Sequence, residues 1–401
     1  MAPPTIPARR FCLVWLGALL AILAVVAGFD AAVDPYAVFG APRLAGFNAR
    51  KIAAAPQQRM AKTYEVERIR PVTVLLGSSR VDIGLDPASP AWPVAMRPVF
   101  NYGLDGMGLR QARAALMQAA ATGRLRNAVL VLDPDLGGDA PAPPGPPDET
   151  ERRLLVRTGG DGTALVPNPA RRRQHLSDLF LSALSLGALR DSVRTVLGQD
   201  DPGAADLSPA GATGENRFRA WAAASGYHAM FAQKDAANAE KLAAAARWVA
   251  AHPDAAPDLG AVARIIAFCR AHGLRLVIII PPVHEHLLNQ IAAHGLADRF
   301  ARWKAGLAAL VPASDAAVQL WDFSGAGPYV SEPMPPPDDR HTMLRWFWDP
   351  THFTRALGER LLRRVLGGPA DGFGARLTAE VNTKADTRAG GKPQDVARAQ
   401  P

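Results

Sequence analysis

Cysteine is scarce in this sequence, with two among 401 residues. Cys12 lies in an apolar segment and Cys269 in an amphipathic helical pattern, so we expect no disulfide, and a Cys-x-x-Cys metal or redox site is excluded. Tight clusters of positive charge are also scarce, although the formal net charge is +8. The one run, Arg171-Arg172-Arg173, has no RNA- or DNA-binding motif beside it. We interpret it as a solvated stretch before a helix and expect no nucleic-acid partner.

Charged residues are missing altogether from the 19 positions between Phe11 and Phe29. At about 1.5 Å per residue, this apolar run is close to the length that crosses the hydrocarbon core of a bilayer. Arg9-Arg10 precedes it, which predicts that residues 1–10 stay in the cytoplasm. A cleaved signal peptide is the alternative, with Val25 and Ala27 near the cut, but the run exceeds the usual apolar region of about 7 to 15 residues.

We therefore predict a single-pass anchor in the inner (cytoplasmic) membrane, in contact with the lipid bilayer through residues 11–29. The main domain is then periplasmic or otherwise extracytoplasmic. Residues 30–70 form a juxtamembrane segment that leads from the anchor into this domain.

Between residues 71 and 368, short β-branched runs alternate with helical patterns, which is typical of a parallel sheet covered by helices. Strands are predicted at 72–76, 99–102, 128–132, 274–280 and 317–323. Helices are predicted at 109–121, 176–197, 218–250, 262–271, 298–310 and 354–366. We therefore predict an α/β fold, a flavodoxin-like three-layer sandwich with a mostly parallel five-stranded sheet. A helical insertion covers about 137–250, and residues 369–401 form a disordered tail because they lack periodicity.

Two short motifs carry residues that could perform chemistry. Gly77-Ser78-Ser79 ends the first strand, and the carboxyl ends of parallel strands form the ligand crevice of such sheets. An ordinary helix cap has the same pattern. Near the C-terminus, Asp349 and His352 are three positions apart, so that the carboxylate could hold the imidazole in the tautomer that takes a proton from a serine. A helix-entry turn with a surface histidine is the alternative.

Together and in this order, these motifs resemble those of the SGNH (GDSL-like) hydrolase superfamily over roughly residues 70 to 370. Gly77-Ser78-Ser79 resembles its first block, Asn101–Gly106 its second and Asp349–His352 its last. The resemblance implies that Ser79 is the nucleophile, His352 the general base and then acid, and Asp349 the group that orients His352. It also implies that the backbone N–H groups of Ser79 and Gly106 stabilise the oxyanion.

The third block of that family, Gly-x-Asn-Asp, is not matched. The corresponding strand ends in Leu132-Asp133-Pro134-Asp135, which offers no Asn donor, and an ionised Asp there would repel an oxyanion. Arg80 is a candidate replacement donor, and Ser78 stands where the family has Asp. These departures resemble divergent, membrane-tethered members associated with O-acylation of exported polysaccharides.

A second set of residues is expected to contact substrate: Arg80, Asn101, Asp133 and His284. His284-Glu285-His286 follows the fourth strand on the crevice side, although a simple helix start explains it equally. It is not the zinc motif His-Glu-x-x-His, because Leu288 stands where the second His would be, so we expect no metal. Trp346, Phe347 and Trp348 could stack on a sugar or pack beside the last helix.

The sequence thus predicts an extracytoplasmic, membrane-anchored esterase or O-acyltransferase that needs no cofactor. Its substrate would be an exported glycan or an acyl ester, and a membrane acyltransferase could be its partner. One alternative is a catalytically weak or inactive envelope protein of the same fold that binds glycan or scaffolds an acyltransferase. The other is an anchored α/β protein in which Ser79 and His352 are unrelated and lie more than about 8 Å apart.

Overall fold

Helices and strands alternate along most of the chain. A computed structural model describes residues 8–134, 136–137, 148–369 and 372–378. Its helices are α1 (Ala8–Val33), α2 (Gln58–Ile69), α3 (Ser79–Gly84), α4 (Leu109–Ala121), α5 (Glu149–Arg153), α6 (Arg171–Leu184), α7 (Leu186–Leu197), α8 (Asn216–Ala251), α9 (Gly260–Ala271), α10 (Glu285–Ala293), α11 (Ala297–Leu310) and α12 (Arg355–Val365). Its strands are β1 (Thr73–Leu76), β2 (Val99–Asn101), β3 (Asn127–Val131), β4 (Val156–Thr158), β5 (Leu165–Pro167), β6 (Arg275–Ile280), β7 (Val318–Asp322) and β8 (Ala375–Arg376).

The central sheet has the strand order β2-β1-β3-β6-β7-β8. Neighbours are parallel from β2 to β7, and β8 is antiparallel to β7. All five predicted strands are present, but the count of five is wrong because β8 adds a sixth. The strands β4 and β5 form a separate antiparallel pair.

The strand β8 lies in the segment that we predicted to be a disordered tail. It pairs with the edge strand β7, and the nearby Phe373 ring packs 4.9 Å from the ring of Phe323. A two-residue strand leaves no periodic pattern in a sequence, so only its docking partner reveals it. Residues 379–401, also assigned to that tail, lie outside the described residues.

The strands β1 and β3 lie in the centre of the sheet, where their apolar side chains are covered on both faces. Every residue of β1 and β3 is buried, as expected for parallel strands covered on both faces. Consecutive β1 residues belong to different hydrophobic clusters: Val74 and Leu76 to one, Leu75 to the other. Side chains alternate between the faces of a strand, so the sheet has a core on each side. The finer flavodoxin-like layering stays a prediction.

The helix α1 is long and apolar enough to cross a membrane, by length and composition. Its 26 residues span about 39 Å. The side chains are exposed from Ala8 to Val25, and partial burial begins at Val26. The end of α1 joins the domain, because α1 packs against α6 and α7. The orientation in the membrane and the identity of that membrane stay predictions.

Two predicted helices differ from the observed ones. The helix predicted at 176–197 is split into α6 and α7 at Ser185, whose hydroxyl caps α7 by accepting from the Ala188 N–H at 3.0 Å. Serine competes well for such a cap, and helical periodicity continues across the break. The helix α8 changes direction at Gly226, where φ is +74° and ψ is 159°, a conformation that glycine adopts readily.

Candidate active site

Ser79 is the first residue of α3, directly after the turn that ends β1. Gly77 makes this turn possible with φ of +149°. A Cβ at Gly77 would lie 2.6 Å from Val81 Cγ2 and 2.9 Å from the Val131 carbonyl oxygen, so no other residue fits. The position of Ser79 leaves its backbone N–H without an intrahelical acceptor, as for every residue in the first turn of a helix.

His352 and Asp349 lie in the loop before α12, and the fold brings them to Ser79. The Ser79 Oγ is 2.8 Å from His352 Nε2, although the two residues are 273 positions apart. His352 Nδ1 is 2.6 Å from Asp349 Oδ2. The other carboxylate oxygen, Asp349 Oδ1, accepts from the backbone N–H groups of Thr351 at 2.7 Å and His352 at 2.9 Å. The three side chains therefore form a continuous hydrogen-bonded chain.

The electrostatics of the buried Asp349 favour one arrangement of protons. Burial raises its pKa, but the charge and hydrogen bond of His352 and the positive charge of Lys234 outweigh burial and hold the pKa below its ordinary value. An ionised Asp349 accepts a hydrogen bond from the N–H at His352 Nδ1. The other ring nitrogen, Nε2, is then unprotonated and can accept a hydrogen bond from the Ser79 hydroxyl. This is the arrangement in which a histidine serves as general base for a serine.

No protein-family model, curated protein or solved structure matches the chain. The resemblance to the SGNH superfamily therefore depends on the three motifs and on the geometry around Ser79.

Asp133, at the end of β3, is paired with Arg80. Arg80 Nη1 donates to Asp133 Oδ1 at 2.8 Å, and the Arg80 side chain is only 5% exposed. Its buried Nε has no hydrogen-bond partner among the described residues. The carboxylate that was expected to repel an oxyanion is thus paired with a positive charge, and Arg80, the residue after Ser79, keeps one buried donor atom without a partner among the described residues. Asp135 lies outside the described residues.

The helix α8 covers the site with residues that lie outside the three motifs. Burial lowers the pKa of Lys234, and this cation interacts with Asp349, Arg80 and Asp133. The Phe218 ring lies 5.3 Å from the ring of His352. Lys234 sits in an alanine-rich helix without any motif, so no sequence signal could have identified it.

Asn101, predicted to contact substrate, is instead fully buried inside the fold. Its Nδ2 donates to the carbonyl oxygens of Val81 at 2.8 Å and Leu85 at 2.9 Å, and its Oδ1 accepts from the Gly103 N–H at 2.9 Å. Every polar atom of the side chain is used to hold the end of α3 against β2. The side chain is therefore structural and has no free group for a ligand.

His284, also predicted to contact substrate, is 1% exposed and is the N-cap residue directly before α10. Its Nδ1 accepts from the His286 N–H at 3.3 Å, and its Nε2 lies 3.0 Å from the Glu332 carbonyl oxygen. Burial is the main cause that lowers its pKa. The helix-start alternative describes this residue better, and its backbone supports the site because its N–H donates to the Pro350 carbonyl oxygen at 3.1 Å.

The glycine that lies against α3 is Gly103. A Cβ on Gly103 would be 2.6 Å from the backbone nitrogen of Asp82, whereas a Cβ on the exposed Gly106 would meet no heavy atom within 4 Å. The role of Gly106 as an oxyanion donor stays a prediction. The packing alternative also describes the aromatic run: Trp348 is buried and stacks on Tyr227, with ring centroids 6.2 Å apart.

If the chain has the esterase activity proposed below and Arg80 is an oxyanion donor, replacing Arg80 with Met is expected to reduce kcat by about 100- to 1,000-fold, the usual loss for one such donor. The substitution also exposes the site to the unpaired charge of Asp133. The double variant Arg80→Met/Asp133→Asn is therefore expected to recover part of the loss. Hydrolysis of an aryl ester by the purified protein measures both effects. Equal rates for the wild type and Arg80→Met would show that Arg80 is no donor.

Proposed function

We propose that this chain is a membrane-anchored serine esterase or O-acyltransferase of SGNH type. The observation that supports it most is the hydrogen-bonded chain from Ser79 Oγ through His352 to Asp349, with links of 2.8 and 2.6 Å. An unrelated serine and histidine would have no reason to meet across 273 residues in this geometry.

In the first step, Ser79 Oγ attacks the carbonyl carbon of an ester while His352 Nε2 takes the hydroxyl proton. Asp349 stabilises the imidazolium that forms. The tetrahedral intermediate then collapses, the bond to the leaving oxygen breaks, and His352 returns the proton to that oxygen. The acyl group is left as an ester on Ser79.

In the second step, His352 takes a proton from water or from a sugar hydroxyl, whose oxygen attacks the carbonyl carbon of the acyl-serine. The bond between that carbon and Ser79 Oγ then breaks, and His352 returns the proton to Oγ, which restores the free serine. Water gives hydrolysis, and a sugar hydroxyl gives transfer of the acyl group. The Ser79 backbone N–H and the Arg80 guanidinium stabilise the oxyanion in both steps, each worth about 3 kcal/mol by comparison with known donors. Arg80 would thus replace the Asn of the third family block.

The cellular setting follows from α1 and from Arg9-Arg10. The arginines favour a cytoplasmic N-terminus and hence an exported domain on a single-pass anchor in the inner membrane. An exported glycan would be the acyl acceptor on that side of the membrane, and an acyl group could arrive there through a membrane acyltransferase partner.

Labelling of the purified wild-type protein with a fluorophosphonate probe tests the proposal, because only an activated serine reacts readily. Mass spectrometry of the labelled peptide is expected to find the adduct on Ser79 and not on the neighbouring Ser78. An absence of labelling, under conditions in which a known serine hydrolase reacts, would contradict the proposed activity.

A second candidate is a catalytically weak or inactive envelope protein that binds glycan or scaffolds an acyltransferase. The missing Asn at the end of β3 favours it, since Asp133 stands there instead. This candidate predicts that Ser79→Ala leaves the cellular function unchanged. Loss of that function in a Ser79→Ala protein that still folds and binds its partner would exclude it.

A further inference from the structure

The helices α6 and α7 present their polar side to the protein and their apolar side to the solvent. Their buried residues are small or polar: Asp178, Ser182, Ala188, Ser192 and Thr195. Their exposed residues include Leu176, Phe180, Leu181, Leu186, Val193 and Leu197. Leu186 is 87% and Leu197 is 80% exposed. This arrangement is the reverse of what a surface helix of a soluble domain shows.

The orientation of the pair is held by hydrogen bonds on its inner side. Asp178 accepts from Tyr64 Oη at 2.6 Å and from Arg153 Nε at 2.7 Å, with its side chain only 2% exposed. On α7, Asp191 accepts from Tyr36 Oη at 2.7 Å. Turning the apolar side of α6 inward would separate the buried ion pair of Asp178 and Arg153, and breaking such a pair is costly in a protein interior.

Among the described residues outside α1, exposed apolar side chains are concentrated on α6 and α7. Outside α1, nine large apolar residues are exposed, and six of them are on α6 and α7. A patch of this kind marks an interaction surface, since scattered residues would need no explanation. The patch lies on two helices that pack against the end of α1, the membrane-spanning candidate.

Positive charges lie beside the apolar residues. Arg172 and Arg173 are exposed at the start of α6, and Arg190 and Arg194 are exposed on α7. Leucine and phenylalanine on one side with arginine at the edges is the composition of helices that lie in a membrane interface and contact anionic headgroups.

We propose that the α6–α7 pair lies in the interfacial layer of the bilayer that α1 crosses, with its exposed leucines and Phe180 among the acyl chains. The occupant of the apolar surface is therefore lipid. This proposal concerns the placement of the domain and does not depend on whether Ser79 is catalytic.

The placement brings a large cleft to the membrane surface. The cleft, of about 980 Å³, is lined by Val193 and Leu197 of α7, by Asp82 and Ile83 of α3, and by Phe218, whose ring packs on His352. Val193 and Leu197, with Arg190 and Arg194 beside them, thus stand where the exposed side of α7 meets a space that reaches α3, the helix of Ser79. If the proposed function holds, an acyl ester carried by a lipid can enter from the bilayer; this consequence alone rests on that function.

Spin labels on the full-length protein test the placement directly. In a Cys12→Ala/Cys269→Ala background, labels at Leu176→Cys and Leu186→Cys are compared with a control at Ala309→Cys, exposed on α11. The protein is placed alone in nanodiscs of phosphatidylethanolamine and phosphatidylglycerol, and collisions with oxygen and a water-soluble nickel complex are measured. The two labels are expected about 5–10 Å below the phosphates, and the control in water.

The proposal is overturned if the labels at 176 and 186 are as accessible to the nickel complex as the control. That result is also the one expected if a membrane protein, and not lipid, covers this surface in cells, because the nanodiscs contain no such protein. Photolabelling of the unmodified chain, by a lipid with a diazirine in its acyl chain, gives a second measurement without substitutions. Cross-links are expected within residues 176–197 and not within α11. Cross-links confined to α1 would equally overturn the proposal.

Discussion

Replacing Asp349 with Asn is expected to slow the reaction of Ser79 with a fluorophosphonate probe by up to about ten-thousand-fold, the loss in kcat that the same change causes in a serine protease triad. The amide oxygen can keep the bonds that Asp349 Oδ1 accepts from the N–H groups of Thr351 and His352. The amide NH₂ then faces His352 Nδ1 and donates to it. This leaves the ring proton on His352 Nε2, and a protonated Nε2 cannot accept a hydrogen bond from the Ser79 hydroxyl.

The same experiment carries its own controls. Ser79→Ala removes the nucleophile and sets the background, whereas Ser78→Ala, one position away, is expected to react at close to the wild-type rate. Unfolding temperatures of all variants are compared, so that a loss of labelling can be assigned to chemistry. A rate for Asp349→Asn within tenfold of the wild type would mean that Asp349 does not orient His352.

Replacing Lys62 with Met is expected to destabilise the folded protein by about 3–5 kcal/mol, the cost of leaving a buried charge without its partner. Lys62 is fully buried, and its Nζ donates to Asp82 Oδ1 at 2.6 Å and to the Gly103 carbonyl oxygen. Burial lowers the pKa of Lys62, and the Asp82 charge opposes this effect. Methionine fills similar space and supplies no positive charge.

The double variant Lys62→Met/Asp82→Asn separates the loss of the ion pair from the loss of packing. A neutral Asn at position 82 can still accept from the Thr213 N–H, which bonds Asp82 Oδ1 at 3.2 Å, and it removes the buried charge. We expect the double variant to recover more than half of the lost free energy of unfolding, measured with urea. A cost below about 1 kcal/mol for Lys62→Met, as for an exposed ion pair, would contradict this account.

Local motifs pointed to the three residues that the structure joins by hydrogen bonds, Ser79, His352 and Asp349. Gly77-Ser78-Ser79 predicts a turn because its glycine is needed at the end of a buried strand, and the spacing of Asp349 and His352 permits one carboxylate to reach the ring. The substrate contacts expected of Asn101 and His284 stay predictions, since both side chains are buried and hydrogen-bonded within the fold. A buried asparagine and a helix cap have the same residue types as ligand contacts, and only their hydrogen-bond partners distinguish them.

The residues that complete the site could not be predicted in the same way. Lys234 and Phe218 lie on α8, far in sequence from every motif, and reach the triad because that helix folds back over it. The exposed apolar surface of α6 and α7 could not be predicted from the sequence either. Helical periodicity located these helices approximately, but periodicity does not say which side faces the protein.

The sequence by itself determined the apolar α1, the five parallel strands and the order of the motifs, because each depends on residues close together in the chain. The tertiary structure alone decided that Ser79 meets His352, that Arg80 neutralises Asp133, and that α6 and α7 turn their leucines outward. These facts depend on contacts across many tens of residues, where packing and buried hydrogen bonds select one arrangement among several that the local patterns allow.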